Sequence, residues 1–246
     1  MRYLPFLLLA GCALVLMAGG ADAKESVWNY NAGSGINSVA ISADGEYIAA
    51  GSDEDQVYLF SKNGTLLWSY TAGDGVYSVA ISSDGEFIVA GSLDNNVYLF
   101  NKDGTLLWSY GTGNRVWSVA ISEDGETIAV GSWDNKVYLF DKDSSTPLWN
   151  YTTGNDVGPV AISADGEYIV AGSWDDNIYF LPRNKIELDW DYSTGNTVLS
   201  VAISADGEYI VAGSNANNVD LFNKDSSTPL WSYSTGDDVR SVAISA

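Results

Sequence analysis

Along Val76-Tyr77-Ser78-Val79-Ala80-Ile81-Ser82, small or polar residues alternate with apolar ones, the period of a strand. Asp84-Gly85 follows as a hairpin turn signal. Glu86 to Ser92 is a second apolar run, ending in Gly91-Ser92, and Leu93-Asp94-Asn95-Asn96 is a polar turn. Val97-Tyr98-Leu99-Phe100 reads as a third strand, bounded by Asn101-Lys102-Asp103-Gly104, and Thr105 to Tyr110 as a fourth, closed by Gly111-Thr112-Gly113. β-branched and aromatic residues fill the strands while Gly, Asn and Asp fill the gaps. No window shows helical periodicity of useful length.

The pattern repeats. The stretch S-V-A-I-S-A-D-G-E-Y-I-V-A-G-S starts at Ser38, recurs nearly unchanged from Ser78, Ser118, Pro159 and Ser200, and begins again at Ser241, at spacings of 40, 40, 41, 41 and 41 residues. One four-stranded unit cannot bury both of its faces, so neighbouring units must pack on each other. Four short strands per repeat, repeated, predict an all-β chain: a β-propeller of four-stranded blades. Five units are complete. Ser26 to Tyr30 is an orphan fourth strand carrying Trp28, and Val239 to Ala246 an orphan first strand. A closing blade made from these two would lack strands two and three, leaving unpaired edges. The expectation is therefore a chain cut short, a fragment of a six- or seven-bladed ring. About 25 more residues would complete a sixth blade and about 65 a seventh.

Positions 1–23 read as a signal peptide: Arg2 supplies the positive end, Leu4 to Met17 the apolar run, and Ala21-Asp22-Ala23 a small-residue cleavage site. The run is shorter than the ~20 residues a bilayer span needs, so no membrane span is expected after the signal is removed. This leaves 24–246 as the repeat domain. A second reading takes Leu9-Ala10-Gly11-Cys12 as a lipobox, with Cys12 the lipidated residue; a third leaves the segment as an uncleaved anchor. Each places the protein outside the cytoplasm, in the cell envelope or beyond. Cys12 is the one cysteine, so a chain cleaved after Ala23 draws its stability from its core. Nine Trp and 15 Tyr supply the bulk.

With 11 basic residues against 32 acidic ones, the net charge is −21. That argues against nucleic acid or an anionic membrane as partner, since both need a basic face. Solubility is the plain reason for such a charge.

At V-x-S-V-A-I-S-x-D-G-E-x-I-x-A-G-S-x-D the chain resembles the WD-repeat family, with its strand, Asp-Gly turn, strand, Gly-Ser and acidic turn. The resemblance covers essentially all of 26–246. The Trp-Asp pair that names the family is replaced by Phe60-Ser61, Phe100-Asn101, Phe140-Asp141, Leu181-Pro182 and Phe222-Asn223. The Gly-His pair is missing too, because the chain has no His. That removes half of the family's Asp–His–Ser–Trp network, leaving Ser52, Ser92, Ser132, Ser173 and Ser214 with the turn acids Glu54, Asp94, Asp134 and Asp175; Ala216 breaks the acid series. The motif x-D-G-T-L-L-W-S-Y-x-T-G is similar to the tryptophan-docking repeat of pyrroloquinoline-quinone-type propellers. This resemblance implies that Trp28, Trp68, Trp108, Trp149, Trp190 and Trp231 lie between blades. Neither resemblance carries a function by itself. The quinone dehydrogenases have a vicinal disulfide and an eight-bladed ring, which this chain lacks, so no quinone cofactor is expected.

Positions constant in every unit serve the blade; positions that differ are candidates for a ligand. Asp-Gly-Glu occurs at Asp44, Asp84, Asp124, Asp165 and Asp206. A hairpin turn needs no more than this, and the spacing does not match an EF-hand loop, so no metal site is assigned. Two positions vary sharply. Before the first strand stand Asn37, Tyr77, Trp117, Gly158, Leu199 and Arg240, and at the turn between strands two and three stand Asp53, Leu93, Trp133, Trp174 and Asn215. Strands alternate in direction, so that turn and the turn after strand four emerge on the same face. Tyr77, Trp117, Trp133, Trp174 and Leu199 should therefore cluster at one end, with Arg115 and Arg240 nearby. Aromatic and Arg residues on loops build binding surfaces; the competing expectation is that the rings fold down to cap the end of the propeller.

Without His or a mature Cys, Ser–His, Cys–His and His-zinc chemistry are excluded. No unit holds a distinctive carboxylate pair, so no catalytic residue is assigned and the chain is not expected to be an enzyme. Asn63-Gly64-Thr65 and Asn150-Tyr151-Thr152 are sequons, the first in an exposed loop. The expectation is an exported acidic propeller that acts as a non-catalytic protein-interaction or scaffold module through its aromatic end. Its alternatives are a carbohydrate-binding or carbohydrate-active propeller using the same end, and a structural envelope component with no discrete ligand.

Overall fold

The computed structural model describes residues 26–184 and 187–245. The expected leader, with Cys12, lies outside the described residues. Blade 1 holds β1 (Ile36–Ile41), β2 (Tyr47–Ser52), β3 (Gln56–Ser61) and β4 (Leu66–Thr71). Blade 2 holds β5 (Val76–Ile81), β6 (Phe87–Ser92), β7 (Asn96–Asn101) and β8 (Leu106–Gly111), and blade 3 holds β9 (Val116–Ile121), β10 (Thr127–Ser132), β11 (Lys136–Asp141) and β12 (Trp149–Thr152). Blade 4 comprises β13 (Val157–Ile162), β14 (Tyr168–Ser173), β15 (Asn177–Pro182) and β16 (Trp190–Ser193). Blade 5 comprises β17 (Val198–Ile203), β18 (Tyr209–Ser214), β19 (Asn218–Asn223) and β20 (Trp231–Ser234). Each is an antiparallel sheet in sequence order, β1-β2-β3-β4 and so on. The expected all-β propeller architecture is present, and the five sheets do not close into a complete ring. Among the described residues no helix is long and apolar enough to cross a membrane.

First strands stand side by side around the axis, and each blade's middle strands are buried between neighbours. The seam between blades 1 and 2 joins Ala49 and Leu59 of one to Val79, Ile88 and Phe100 of the other. Closeness at the seams explains the repeated Gly-Ser. A Cβ at Gly91 would stand 2.5 Å from Val116 Cγ1, and one at Gly172 2.5 Å from Val198 Cγ1.

The tryptophans of blades 1 to 4 reach across the seams. The indole N–H of Trp68 donates to the carbonyl of Lys102 at 2.8 Å, Trp108 to Lys142 at 2.7 Å, Trp149 to Arg183 at 2.9 Å and Trp190 to Lys224 at 2.7 Å. In each blade the same Lys or Arg position pairs with the Glu of the Asp-Gly-Glu turn, such as Lys142–Glu126 at 3.3 Å and Arg183–Glu167 at 3.7 Å; these pairs are partly solvent-exposed and worth little. At the opposite end of the axis from the β2–β3 turns, backbone groups link the blades in series. Ala43 N–H donates to Ser83 O, Ser83 to Glu123 O, Glu123 to Ala164 O and Ala164 to Ala205 O, at 2.9–3.0 Å.

The Asp-Gly-Glu turns are accounted for within the blade. Asp84 accepts from Ser82 Oγ at 2.6 Å and from Glu86 N–H at 2.9 Å, while Gly85 takes φ +73°. The change of spacing from 40 to 41 residues falls in the β3–β4 connection. In blades 3 and 5 it reads Ser-Ser-Thr-Pro rather than Asn/Asp-Gly-Thr, and β12 and β20 start later, at Trp149 and Trp231. Pro147 and Pro229 have no N–H to pair, so the ladder cannot extend through them; Leu148 N–H still donates to Leu139 O at 2.7 Å.

The two orphan segments occupy strand positions without joining a sheet. Trp28 donates its indole N–H to Lys62 O at 2.8 Å, as the other tryptophans do to their neighbours. Near the far end, Val242 N–H donates to Ser200 Oγ at 3.1 Å, repeating the bonds from Val79 to Ser38, Val119 to Ser78 and Val160 to Ser118. Pro159 replaces this serine in blade 4 and offers no hydroxyl to blade 5.

A seam tryptophan and an open-face one should therefore differ on truncation. Trp108→Ala should lower the unfolding free energy by about 3 kcal/mol. Trp231→Ala, at a residue 49 % exposed, should cost under about 1 kcal/mol. Urea titrations of the two variants measure the contrast.

Candidate functional site

Each β2–β3 type turn is locked to the loop that precedes its blade. Asp94 accepts from Gly73 N–H at 2.7 Å, Asn96 N–H at 2.9 Å and the Tyr98 hydroxyl at 2.5 Å. Asp134 takes Gly113, Lys136 and Tyr138, and Asp175 takes Gly154, Asn177 and Tyr179, in the same arrangement. Ser92 completes the latch: its Oγ donates to Asp74 O and accepts from Asp94 N–H. A Ser–Asp–Tyr latch thus holds the turn. The turn leaves the ladder through a left-handed residue, Asn95 at φ +74° and Asn135 at +68°, where Asn and Asp are the best-tolerated side chains after Gly. In blade 5 both partners change together, to Ala216 and Asp220. The buried Asp220 accepts instead from Ser232 Oγ.

The variable position of the first strand has a backbone cause. Val76 pairs with Ser92 and Ser78 with Gly91, so Tyr77 is an extra residue in a β-bulge. Asn37, Trp117 and Leu199 are bulged in the same way. In blade 4 the irregularity takes in Gly158 and Pro159. These residues therefore lie inside the first strand and not before it. A bulged residue is out of the pairing and its side chain is re-aimed.

The bulges put their side chains around one cavity of about 460 Å3 at the end of the axis. Tyr77, Trp117, Trp174, Leu199 and Arg240 all line it, with Asn37 beside them. Trp133 and Arg115 stand behind the wall. The aromatic rings form a continuous arc: Tyr77 to Trp117 at 4.2 Å between centroids, Trp117 to Trp133 stacked at 4.6 Å, and Trp133 to Trp174 at 5.1 Å. The Arg115 guanidinium lies over Trp133, 5.6 Å from its centroid. The rings pack on one another around the cavity rather than filling it, and Trp174 remains 39 % exposed. Gly158 leaves the wall open beside Trp174, where a side chain stands in the other units.

Polar groups hold the arc from behind. Asn114 Nδ2 donates to Trp133 O at 3.1 Å and Asn155 Nδ2 to Trp174 O at 3.4 Å. Trp174 N–H donates to Asp156 O at 2.9 Å. Burial, and then the charge of Asp134, push the Asp156 carboxyl up. Opposite the arc, Arg240 pairs with Asp238 at 2.8 Å and Asn37 donates to Asp53 at 2.7 Å. Among the described residues no three Asp, Glu, His or Cys side chains gather in a metal-sized group. Both sequon residues, Asn63 and Asn150, are exposed.

Two features escaped the sequence reading. The bulge was hidden because the strand alternation reads straight through it. The latch tyrosine left a usable signal: Tyr98, Tyr138 and Tyr179 each stand four residues after the turn acid, and blade 5 changes both positions at once.

Two family models match the chain. The model described as outer membrane protein assembly factor BamB, PQQ_2, matches residues 18–120. The model described as WD domain, G-beta repeat, WD40, matches residues 104–141, 152–180 and 190–223. Comparison with the curated proteins returned no match.

The latch fixes an acid limit to stability. Burial pushes the Asp94 carboxyl up, but the hydrogen bonds from Tyr98, Gly73 and Asn96 outweigh it and hold it below the usual carboxylate range. A depressed native pKa contributes stability that is full above the unfolded value of about 3.9 and is lost as pH falls through the native one. Asp94→Asn should therefore be less stable than wild type at pH 6, with the gap narrowing below about pH 4. Urea unfolding across that range gives the result.

Proposed function

With the chain placed among the WD-repeat and PQQ-like β-propeller repeat proteins, we propose that it is a non-catalytic binding module. It takes a protein partner at the aromatic mouth of its axis. The observation that carries this reading is that the repeats hold nearly everything constant except the bulged and turn residues, and those residues converge on one open cavity. Trp, Tyr and Arg are the residues that concentrate binding energy at protein interfaces. Here three Trp, one Tyr and two Arg stand at or just behind the cavity wall. The rings are braced on one another, so little ordering entropy remains to be lost when a partner docks.

Supporting placement outside the cytoplasm are the apolar leader at 1–23 and the match to a model named for an outer membrane assembly factor. With no His and no cysteine beyond position 12, the mouth has no Ser–His, Cys–His or His-zinc arrangement to offer. The exposed face of Trp174 favours one second reading, a sugar ring stacked against it.

The test compares wild type with Trp174→Ala and Trp117→Ala in quantitative capture from envelope extracts, beside a glycan-binding screen. One protein should be enriched by wild type and weakened by about 30-fold or more with Trp174→Ala, a hot-spot loss of roughly 2 kcal/mol. The variant's urea midpoint should stay within experimental error of wild type. Glycan binding lost in the variant, with no captured protein, would establish the sugar reading instead.

A further inference from the structure

The loop that enters each blade carries a third variable position, and it is tied to the first residue of the turn. Gly35 O accepts from Asp53 N–H, Gly75 O from Leu93, Arg115 O from Trp133, Asp156 O from Trp174 and Thr197 O from Asn215, all at 2.9–3.0 Å. This backbone bond is constant, so the loop residue is carried to the same place beside the turn residue in every blade. Of the five blades, only 3 and 4 put an indole at the turn and a charged side chain at the loop position.

Blade 3 is complete in itself. Its Arg115 guanidinium lies over the Trp133 ring, 5.6 Å from the centroid, so the electron-rich indole is met by a cation of the same chain. Blade 4 has the ring without the cation. Asp156 stands in the place of Arg115, half-buried, and among the described residues its carboxylate has neither a hydrogen-bond donor nor an ion-pair partner. The charge that acts on it, that of Asp134, is of the same sign. Trp174 meets Trp133 at 5.1 Å, tilted by 55°, and stays 39 % exposed where it lines the cavity. A carboxylate that has lost part of its water and gained no partner costs free energy. The open indole beside it is the other half of a cation site.

We propose that Trp174 and Asp156 receive an arginine side chain of the protein partner, which brings to blade 4 the guanidinium that Arg115 brings to blade 3. This rests on the reading of the mouth as a protein-binding surface and names the group that enters it. Arginine fits better than lysine, because a planar guanidinium stacks on an indole and still offers two parallel N–H donors to a carboxylate. The long-range field points the same way, since a chain of net charge −21 attracts a basic partner and repels an acidic one. The two cations already at the mouth are engaged elsewhere, Arg115 over Trp133 and Arg240 with Asp238 at 2.8 Å.

The experiment titrates capped Gly-X-Gly peptides into the full protein, where X is arginine, lysine or citrulline, the neutral isostere of arginine. Tryptophan emission reports binding. The arginine peptide should bind saturably, the citrulline peptide at least about tenfold more weakly, a loss of roughly 1.4 kcal/mol, and the lysine peptide in between. Asp156→Asn should weaken the arginine peptide by about tenfold. Asp225→Asn, at an exposed carboxylate in the β19–β20 connection, should not. Burial and Asp134 hold the Asp156 carboxyl up, so its charge opposes the native state at neutral pH. Asp156→Asn should therefore unfold at a urea concentration no lower than wild type, which separates lost binding from lost fold. In capture from envelope extracts it should weaken the same protein as Trp174→Ala. Equal affinity for the arginine and citrulline peptides, or no effect of Asp156→Asn on peptide and capture, overturns the inference and leaves the protein-binding reading standing. Capture of no protein by wild type overturns both.

Discussion

Everything in this molecule depends on the seam between blades. A four-stranded sheet of this size has two apolar faces and cannot bury either alone. The seam meets that need with a large ring and a missing side chain. The indole of blades 1 to 4 crosses to a backbone carbonyl of the next, and the glycine of each second strand admits the valine that follows, as Gly91 admits Val116. Both contacts are short-range and sterically strict. A Cβ at the glycine would overlap the valine, and the indole N–H would be left unsatisfied in a half-buried place if the blades drew apart. The 40- and 41-residue spacings follow, because each unit must present the same ring and the same gap to its neighbour.

Once the seam is fixed, the end of the axis is fixed with it. The turn acid of blades 2, 3 and 4 binds the loop that enters its own blade and the tyrosine of its third strand, so the turn has few conformations open to it. The mouth is therefore a rigid frame made of constant residues. In blades 2 to 4 the sharpest variation falls on what the frame does not use: the bulged residue and the first residue of the turn.

Most of this architecture was legible in the chain. Strand alternation, Asp-Gly turns and the recurring Gly-Ser placed all four strands of each blade, and the resemblance to the tryptophan-docking repeat implied that Trp68 and Trp108 lie at the seams. Seven side chains expected at one end do gather there: Tyr77, Trp117, Trp174, Leu199 and Arg240 on the cavity and Trp133 with Arg115 behind it. The bulge was not legible, since Val76 to Ile81 alternates as though Tyr77 were paired. A single out-of-ladder residue leaves no trace in a two-residue period. Nor did alternation distinguish a strand from a segment that merely occupies a strand's place. Val239 to Ile244 carries the first-strand pattern, yet it forms no ladder, because a ladder needs a second strand beside it.

The bulge also explains how such regular repeats can carry an irregular site. Replacing a paired residue changes cross-strand packing on both sides, and in this chain the paired positions hardly vary: Val79, Val119, Val160 and Val201 are the same residue in successive blades. A bulged residue has no partner across the ladder to disturb. Asn, Tyr, Trp, Gly and Leu are accepted there at little cost to the sheet, and each projects toward the same axis. Pro159 marks the limit of that freedom. One position beyond the bulge, it removes the hydroxyl that in other blades binds the next valine's N–H, so blades 4 and 5 lack a link the others have. Gly158 opens the cavity wall at the same place. The missing link and the opening in the cavity wall thus coincide beside Trp174.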